Sequence, residues 1–179
     1  DLYIEKGFHE VQISGEIGAR DENNTVTVTF RIDEGKQMNI KEIVFVGNNN
    51  LSKTALRRNL ETKKQGLFSK GLYQESLIEE DIEKIESFYS EKGYITARVV
   101  DVKSEIIDTD DPEKMGLRLT YYIEEGDQYT YDGISFLGNI IHNDEELEKM
   151  VRTKNGDVLN KVRMEADFVK ISDLYFDDG

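Results

Sequence analysis

Hydrophobic residues in the middle of the chain switch between the spacing of a strand and that of a helix. Residues 40–46 are β-branched and aromatic and run into a glycine–asparagine cluster, which predicts a short strand and a turn. Residues 51–60 and about 74–90 carry apolar side chains three and four apart, which predicts two helices, with Ser52 as a suitable N-cap for the first. The stripe of the second helix consists of Ile78, Ile82, Ile85 and Tyr89. Ile82 lies in the middle of this stripe, so we expect it to be among the most buried residues.

Two further strands follow the second helix. Residues 95–101 alternate imperfectly, and residues 117–123 place apolar side chains on one face. The polar, turn-rich stretch 108–112 joins them. If these two strands form a hairpin with the later one central, the first strand lies parallel beside it and 95–101 becomes an edge. The order strand, helix, helix, strand, strand predicts an α+β module whose three-stranded mixed sheet is covered by two helices.

The pattern recurs along the chain. The residues that lead to Gly35 return before Gly126, 91 residues later, and the block at 43–48 returns at 134–139 with the same spacing. A third block occurs three times at intervals of 86 residues. The glycines that close it are Gly7, Gly93 and Gly179. A period near 90 indicates a string of small globular modules rather than a solenoid.

The repeat divides the chain into one complete module and two partial ones. Residues 37–127 are predicted to form the complete module, and 1–36 the last two strands of the preceding one. Residues 128–179 are predicted to form the first strand, around 133–136, and both helices of the next. Asn143 and Glu146 form a capping-box pattern at the start of the first of these helices, 144–151, and the second covers about 161–175.

Composition narrows the function classes. The 179-residue chain carries 37 acidic and 23 basic residues, for a formal net charge of −14, so no basic face for nucleic acid is expected. Cysteine is absent, which excludes a disulfide framework and thiolate chemistry. No apolar run approaches the roughly 18 residues of a membrane-spanning helix, and no signal peptide is visible.

Candidate chemistry is sparse. His9 and His142 are the only histidines, and neither has a second ligand at helical spacing. Asp108, Asp110 and Asp111 lack the glycine and the terminal glutamate of a calcium loop. We therefore expect no catalytic site, no metal site and no cofactor.

The module resembles the POTRA (polypeptide-transport-associated) domains of BamA-like outer-membrane assembly factors. The resemblance rests on the order of elements, the Gly47-Asn48 block, the Tyr-x-x-Lys-Gly-Tyr block at 89–94, and the Ile-Glu-Glu-Gly block at 123–126. It implies a non-enzymatic protein-binding region on the periplasmic side of a bacterial outer membrane. It also implies unfolded outer-membrane proteins as clients and accessory assembly lipoproteins as partners. Membrane contact would come only through a C-terminal β-barrel that is missing from these residues.

An exposed edge strand is the best candidate binding site, because its unpaired backbone groups can accept an extended peptide as an added strand. The predicted edge consists of Ile95, Thr96, Ala97, Arg98, Val99, Val100 and Asp101. The predicted groove wall beside it consists of Ile82, Ile85 and Tyr89. The alternative is a strand that only faces solvent, and the charge of Arg98 is of the kind that discourages pairing.

Two other roles stay open. The modules could belong to a secretion or import translocator that recognises one client, or to a non-catalytic periplasmic scaffold. The partial modules also predict head-to-tail or swapped self-association, because each would expose an apolar face. One face consists of Val26, Val28 and Phe30, and the other of Met164, Phe168 and Ile171.

Overall fold

The computed structural model describes residues 2–109 and 111–177, so Gly179 of the repeated block lies outside the described residues. The helices are α1 (Leu2–Glu5), α2 (Lys53–Asn59), α3 (Glu75–Glu91), α4 (Asp144–Glu148) and α5 (Lys161–Asp177). The strands are β1 (Gln12–Ile17), β2 (Val28–Asp33), β3 (Gln37–Val46), β4 (Arg98–Ile107) and β5 (Lys114–Glu124). This order confirms the predicted α+β class and the strand, helix, helix, strand, strand arrangement of the middle of the chain.

The sheets have two and three strands. In the three-stranded mixed sheet the order is β3, β5, β4, so the last strand is central and β4 is an edge, as predicted. The central strand is the most buried: Leu119 and Tyr121 are fully covered. The two-stranded sheet is the antiparallel hairpin β1–β2, in which Gly15 lies opposite Phe30.

Local signals set the helix starts. The Ser52 hydroxyl accepts a hydrogen bond from the amide of Ala55 and caps α2. Asn143 and Glu146 form both bonds of the predicted capping box at α4. Each cap satisfies amides that have no partner within the first helical turn, and both were readable in the sequence.

The residues group into two compact units, each of which includes part of the three-stranded sheet. One unit contains the β1–β2 hairpin, Glu61–Ile78 and Lys103–Thr120. Its buried side chains include Ile40 and Leu119, whereas every residue of the hairpin strands is exposed. The other unit contains Phe45–Leu60, Glu79–Val102 and the chain from Tyr121 onward. In its core the rings of Phe45 and Tyr121 stack with centroids 5.7 Å apart.

Two predicted strand positions are wrong. Gly93 adopts φ 89° and the amide of Ala97 bonds to the carbonyl of Tyr94, so residues 93–97 form a turn and β4 begins only at Arg98. The strand expected around 133–136 is not observed within the described part of the chain, where Thr130 instead forms an isolated bridge with Val158. A strand exists only where a neighbour pairs with it, and residues 133–136 have no such neighbour among the described residues.

The prediction for Ile82 is also wrong. Ile85 and Tyr89 are fully buried, but Ile82 is only half-buried. Asp81 is fully buried beside them, because its carboxylate accepts a 2.9 Å hydrogen bond from the hydroxyl of Tyr121. Asp81, whose carboxylate is hydrogen-bonded, therefore lies on the core face where the apolar pattern predicted Ile82.

Candidate functional site

The two edges of the three-stranded sheet differ in their backbone bonding. On β3, the amide of Ile40 donates to the carbonyl of Gly71, and its carbonyl accepts from the amide of Gln65, each at 2.6 Å. The carbonyl of Met38 accepts from the amide of Tyr73 at 3.1 Å. The loop before α3 thus covers the outer side of β3, because the other side of that strand pairs with β5. The strand order leaves β4 as the edge that could accept another strand.

A glutamate on α3 occupies the beginning of this edge. The carboxylate of Glu86 accepts a 2.9 Å hydrogen bond from the backbone amide of Val99. A side chain of α3 therefore occupies this backbone donor of β4. An incoming strand that pairs at this position must displace the Glu86 side chain.

The rest of β4 exposes side chains. Val100 and Ile106 are 48% and 70% exposed, large fractions for aliphatic residues. Arg98 forms a 2.6 Å ion pair with Glu124 of β5. Its charge, expected to discourage pairing, is therefore partly offset by a neighbour within the sheet.

The predicted site residues do not all come together. Ile95, Thr96 and Ala97 lie in the turn before β4, whereas Arg98, Val99, Val100 and Asp101 lie in the strand. Ile85 and Tyr89 are fully buried, so of the three predicted groove-wall residues only Ile82 retains accessible surface.

A shallow groove of about 320 Å³ does form beside the turn. Ile95 and Ala97 line it together with residues of α3 and the beginning of α5. The remaining lining residues are Glu83, Glu86, Ser87, Ser90, Lys161, Val162 and Glu165. The groove thus reaches the carboxylate that holds the Val99 amide.

A buried carboxylate that the sequence reasoning missed fixes the end of β5. Glu125 accepts hydrogen bonds from the Asn50 amide at 3.0 Å, the Asn50 side chain at 2.8 Å and the Tyr89 hydroxyl at 2.8 Å. Burial acts to raise the pKa of Glu125, but the bonds from Asn50 and Tyr89 favour the ionised form and the net pKa is lowered. Burial, together with the bond to Glu125, raises the pKa of Tyr89. The sequence signal for this acid was the Glu-Gly pair that recurs as Glu34-Gly35.

A second missed acid recurs with the repeat. Asp81 and Asp167 are 86 residues apart, and both are buried. Asp167 accepts from the Arg152 amide at 3.0 Å and from its guanidinium at 2.6 Å. Burial acts to raise the pKa of Asp167, but the bonds from Arg152 outweigh it and the pKa is lowered. The sequence signal for these buried acids was the recurrence of aspartate at the same helical position of the internal repeat.

The repeat glycines mark a junction that is built twice. In one unit the Gly93 carbonyl accepts from the Tyr129 amide at 2.9 Å, and the Lys92 carbonyl accepts from the Gln128 side chain at 2.8 Å. In the other unit the same two bonds occur one repeat earlier. There Met38 donates to Gly7 at 2.8 Å, and Gln37 donates to Lys6 at 2.9 Å. The repeat in sequence is therefore also a repeat in hydrogen bonding.

The remaining candidate chemistry finds ordinary partners. The His9 ring bonds to the Tyr73 carbonyl at 2.9 Å, and the His142 ring packs edge-on against Tyr175. Asp111 pairs with Lys114 at 2.8 Å, whereas Asp110 lies outside the described residues. Across 2–109 and 111–177, no cluster of three or more histidines and acids is placed to bind a metal. No helix in those same two stretches combines the length and apolarity needed to cross a bilayer.

Comparison with known proteins identifies the family to which the chain belongs. The model of the POTRA family, described as a surface antigen variable number repeat, matches residues 38–126 and 129–179. The "Putative outer membrane protein assembly factor" of Treponema pallidum (strain Nichols) is 36% identical over 177 residues, which is 99% of this chain and 21% of that protein. The "Outer membrane protein assembly factor BamA" of Nitratidesulfovibrio vulgaris is 27% identical over 187 residues, 100% of this chain and 23% of that protein. The chain thus spans about a fifth of the length of these relatives.

A solved structure has the same architecture. The crystal structure of Haemophilus influenzae BamA POTRA3-5 superimposes with a TM-score of 0.54 and 25% identity. The match covers 97% of this chain and 65% of that one.

Proposed function

Because the chain belongs to the POTRA family, we propose that it is a non-catalytic, protein-binding region of a BamA-like outer-membrane protein assembly factor, located in the periplasm. The names of the relatives in Treponema and Nitratidesulfovibrio support the assembly role. We further propose that 37–127 is a complete module between partial modules at 1–36 and 128–179. The two separate family matches and the repeated junction support this division.

The proposed activity is capture of extended client segments by strand addition to β4. The observation that carries it is the asymmetry of the sheet. The loop before α3 bonds the outer backbone of β3, while β5 is the only neighbour of β4 in the strand order of the described residues. Main-chain pairing depends little on the client's sequence. That property suits a region that handles many unfolded outer-membrane proteins, which we propose as the clients. Accessory assembly lipoproteins are the proposed partners on the remaining surface.

Glu86 blocks one backbone donor near the start of the β4 edge. Its carboxylate holds the Val99 amide at 2.9 Å, so a client gains that donor only after the side chain moves away. Removing the carboxylate is expected to expose the amide and extend the pairing site by one hydrogen bond. Such a bond contributes about 1 kcal/mol, which corresponds to roughly fivefold in affinity.

NMR titration of the ¹⁵N-labelled chain tests this proposal. The probe is a peptide of alternating apolar and polar residues from an outer-membrane strand, with a sequence-scrambled peptide that keeps the alternation. Both peptides should shift the amides of Arg98–Ile107, and Glu86→Ala should tighten binding by about fivefold. Glu83→Ala, on the same helix and also lining the groove, is the matched control and should change nothing.

In the Glu86→Ala background, Val99→Pro removes the freed donor and should cancel the gain in affinity. Unshifted β4 amides with both peptides would refute strand addition. A response to one peptide but not to its scrambled version would instead favour a translocator that recognises a single client. If no peptide binds at any surface, the chain acts as a scaffold.

A further inference from the structure

Helix α5 carries an apolar surface that its core packing does not explain. The repeat of 86 residues aligns α5 with α3 position by position. The core face of α3 is formed by Ile78, Asp81, Ile85 and Tyr89. The matching positions of α5 are Met164, Asp167, Ile171 and Tyr175, all buried or half-buried. These four residues define the core face of α5.

A second line of residues lies outside this core face. Val162, Val169 and Phe176 are seven residues apart and are 36%, 54% and 79% exposed. We call these three residues the outer line of α5. At the same positions α3 has Ser76, Glu83 and Ser90, of which the first two are exposed and the third half-exposed. The internal repeat thus provides a comparison, because the line is polar on α3 and apolar on α5.

One residue of the outer line also lines an apolar groove of about 500 Å³. Ile95 and Leu159 contribute to the groove from outside the helix, and Phe168, which is 72% exposed, lies at its surface. The other lining residues are Lys161, Met164, Glu165 and Val169. This groove shares Ile95, Lys161 and Glu165 with the shallow groove beside the turn before β4.

The charged residues that line the two grooves are mainly acidic. Glu83 and Glu86 line the adjoining groove from α3, and Glu165 lies on α5 itself. Lys161, the basic residue in the lining of both grooves, is 3.7 Å from Glu165 and is partly neutralised by it. A partner that covers the apolar line therefore meets negative potential along its margin.

We propose that the outer line of α5 and the adjacent groove bind an amphipathic helix of a partner protein, with basic residues flanking the apolar stripe. Residues seven apart on a helix form a nearly straight seam, which is the geometry that packs against a second helix. An exposed, contiguous apolar surface on a soluble domain is typical of an interaction site. The proposal does not depend on strand addition to β4, although Glu86 lies at the margin of both sites.

The test uses two synthetic helical probes of about three heptads, the length at which such peptides become helical. Both carry leucine at the two core positions of each heptad; one is flanked by lysine and the other by glutamate. In NMR titrations of the chain, the lysine-flanked probe should shift the methyl groups of Val162, Val169 and Ile95. Its Kd should be at least about tenfold lower than that of the glutamate-flanked probe.

The matched variant replaces the outer line with the residue types found at the aligned positions of α3. It carries Val162→Ser, Val169→Glu and Phe176→Ser together. It should abolish probe binding while the circular dichroism spectrum is retained, and Val169→Glu alone provides a milder check on folding. Binding of both probes with equal affinity, retention of binding in the triple variant, or shifts confined to β4 would overturn the proposal. A concentration-dependent dimer that the triple variant dissociates would also overturn it and would identify a second copy of the chain as the occupant.

Discussion

The hydroxyl of Tyr89 donates a 2.8 Å hydrogen bond to the carboxylate of Glu125, and this contact joins the last turn of α3 to the end of β5. The same carboxylate accepts from the amide and the side chain of Asn50, in the turn after β3. One buried acid thus connects a helix, a strand end and a turn. Because Tyr89 is fully buried and the bonds from Asn50 are partly buried, losing the acceptor would leave polar groups unsatisfied.

Glu125→Ala is therefore expected to lower the free energy of unfolding by about 1–3 kcal/mol, the cost of leaving a buried donor without an acceptor. Urea denaturation followed by circular dichroism measures it. Glu124→Ala is the neighbouring control, because Glu124 forms an exposed ion pair with Arg98 and its loss should cost less than about 1 kcal/mol. Equal losses for the two variants would show that the Glu125 network contributes little to stability.

Stability should fall in acid. The pKa values of Glu125 and Asp167 are lowered from their ordinary values of 4.5 and 3.8. Each ionised carboxylate therefore stabilises the fold fully above its unfolded pKa, and that contribution is lost as the pH falls through the lower folded pKa. Urea midpoints measured from pH 7 down to pH 3 should decline, and Glu125→Gln should flatten the decline. An unchanged slope in that variant would contradict the assignment to Glu125.

Two surface acids provide a comparison for this pH dependence. The pKa of Asp21 is lowered first by the hydroxyl of Thr25, and that of Asp111 first by its bond with Lys114. Both carboxylates lie at the surface, where water and salt screen their interactions. Asp21→Asn should therefore leave the decline of the urea midpoint with pH nearly unchanged.

Ile85→Ala and Ile82→Ala form a matched pair on one helix. Ile85 is fully buried, so its truncation should cost about 2–5 kcal/mol. Ile82 is half-buried and should cost clearly less, since its site stays partly open to water. Thermal and urea denaturation of the two variants would distinguish them, and an equal or larger loss at Ile82 would contradict the helix orientation.

Gly93→Ala should loosen the junction with residues 128–129. A Cβ at Gly93 would lie 2.7 Å from a methyl group of Val158 and 3.0 Å from the Tyr129 carbonyl oxygen, at a φ of 89° that disfavours side chains. Amide hydrogen exchange at Tyr129 should therefore become faster. Gly66→Ala is the control, because a Cβ there meets no atom within 4 Å. Unchanged exchange in Gly93→Ala would show that the junction tolerates a side chain.

The β1–β2 hairpin is proposed to drive self-association of the 179-residue chain. Val28, Phe30 and Ile32 alternate along one strand and are 50%, 68% and 51% exposed. In a second copy the α5 face with Met164, Phe168 and Ile171 is the proposed complement. Light scattering should show a mass that rises with concentration, and Phe30→Ser should reduce the rise. A strict monomer at millimolar concentration would disprove this pairing.

The sequence by itself determined the features that depend on neighbouring residues. Apolar spacing located the helices and strands, and Ser52 and Asn143 marked helix starts, because a cap bonds to amides only two or three residues away. The recurring glycines revealed the modules, since positive φ at Gly7 and Gly93 is needed at the same point of each repeat.

Only the tertiary structure decided which side chains meet across long separations. Glu125 and Asn50 are 75 residues apart in the chain, and Asp81 and Tyr121 are 40 apart. A hydrophobic period gives the direction of a helix face, but it does not say where a tyrosine hydroxyl will satisfy a buried acid. Asp81 is therefore buried where the pattern favoured Ile82. The start of β4 and the bond from Val99 to Glu86 depended in the same way on packing, because strand pairing and carboxylate placement require partners that local sequence does not specify.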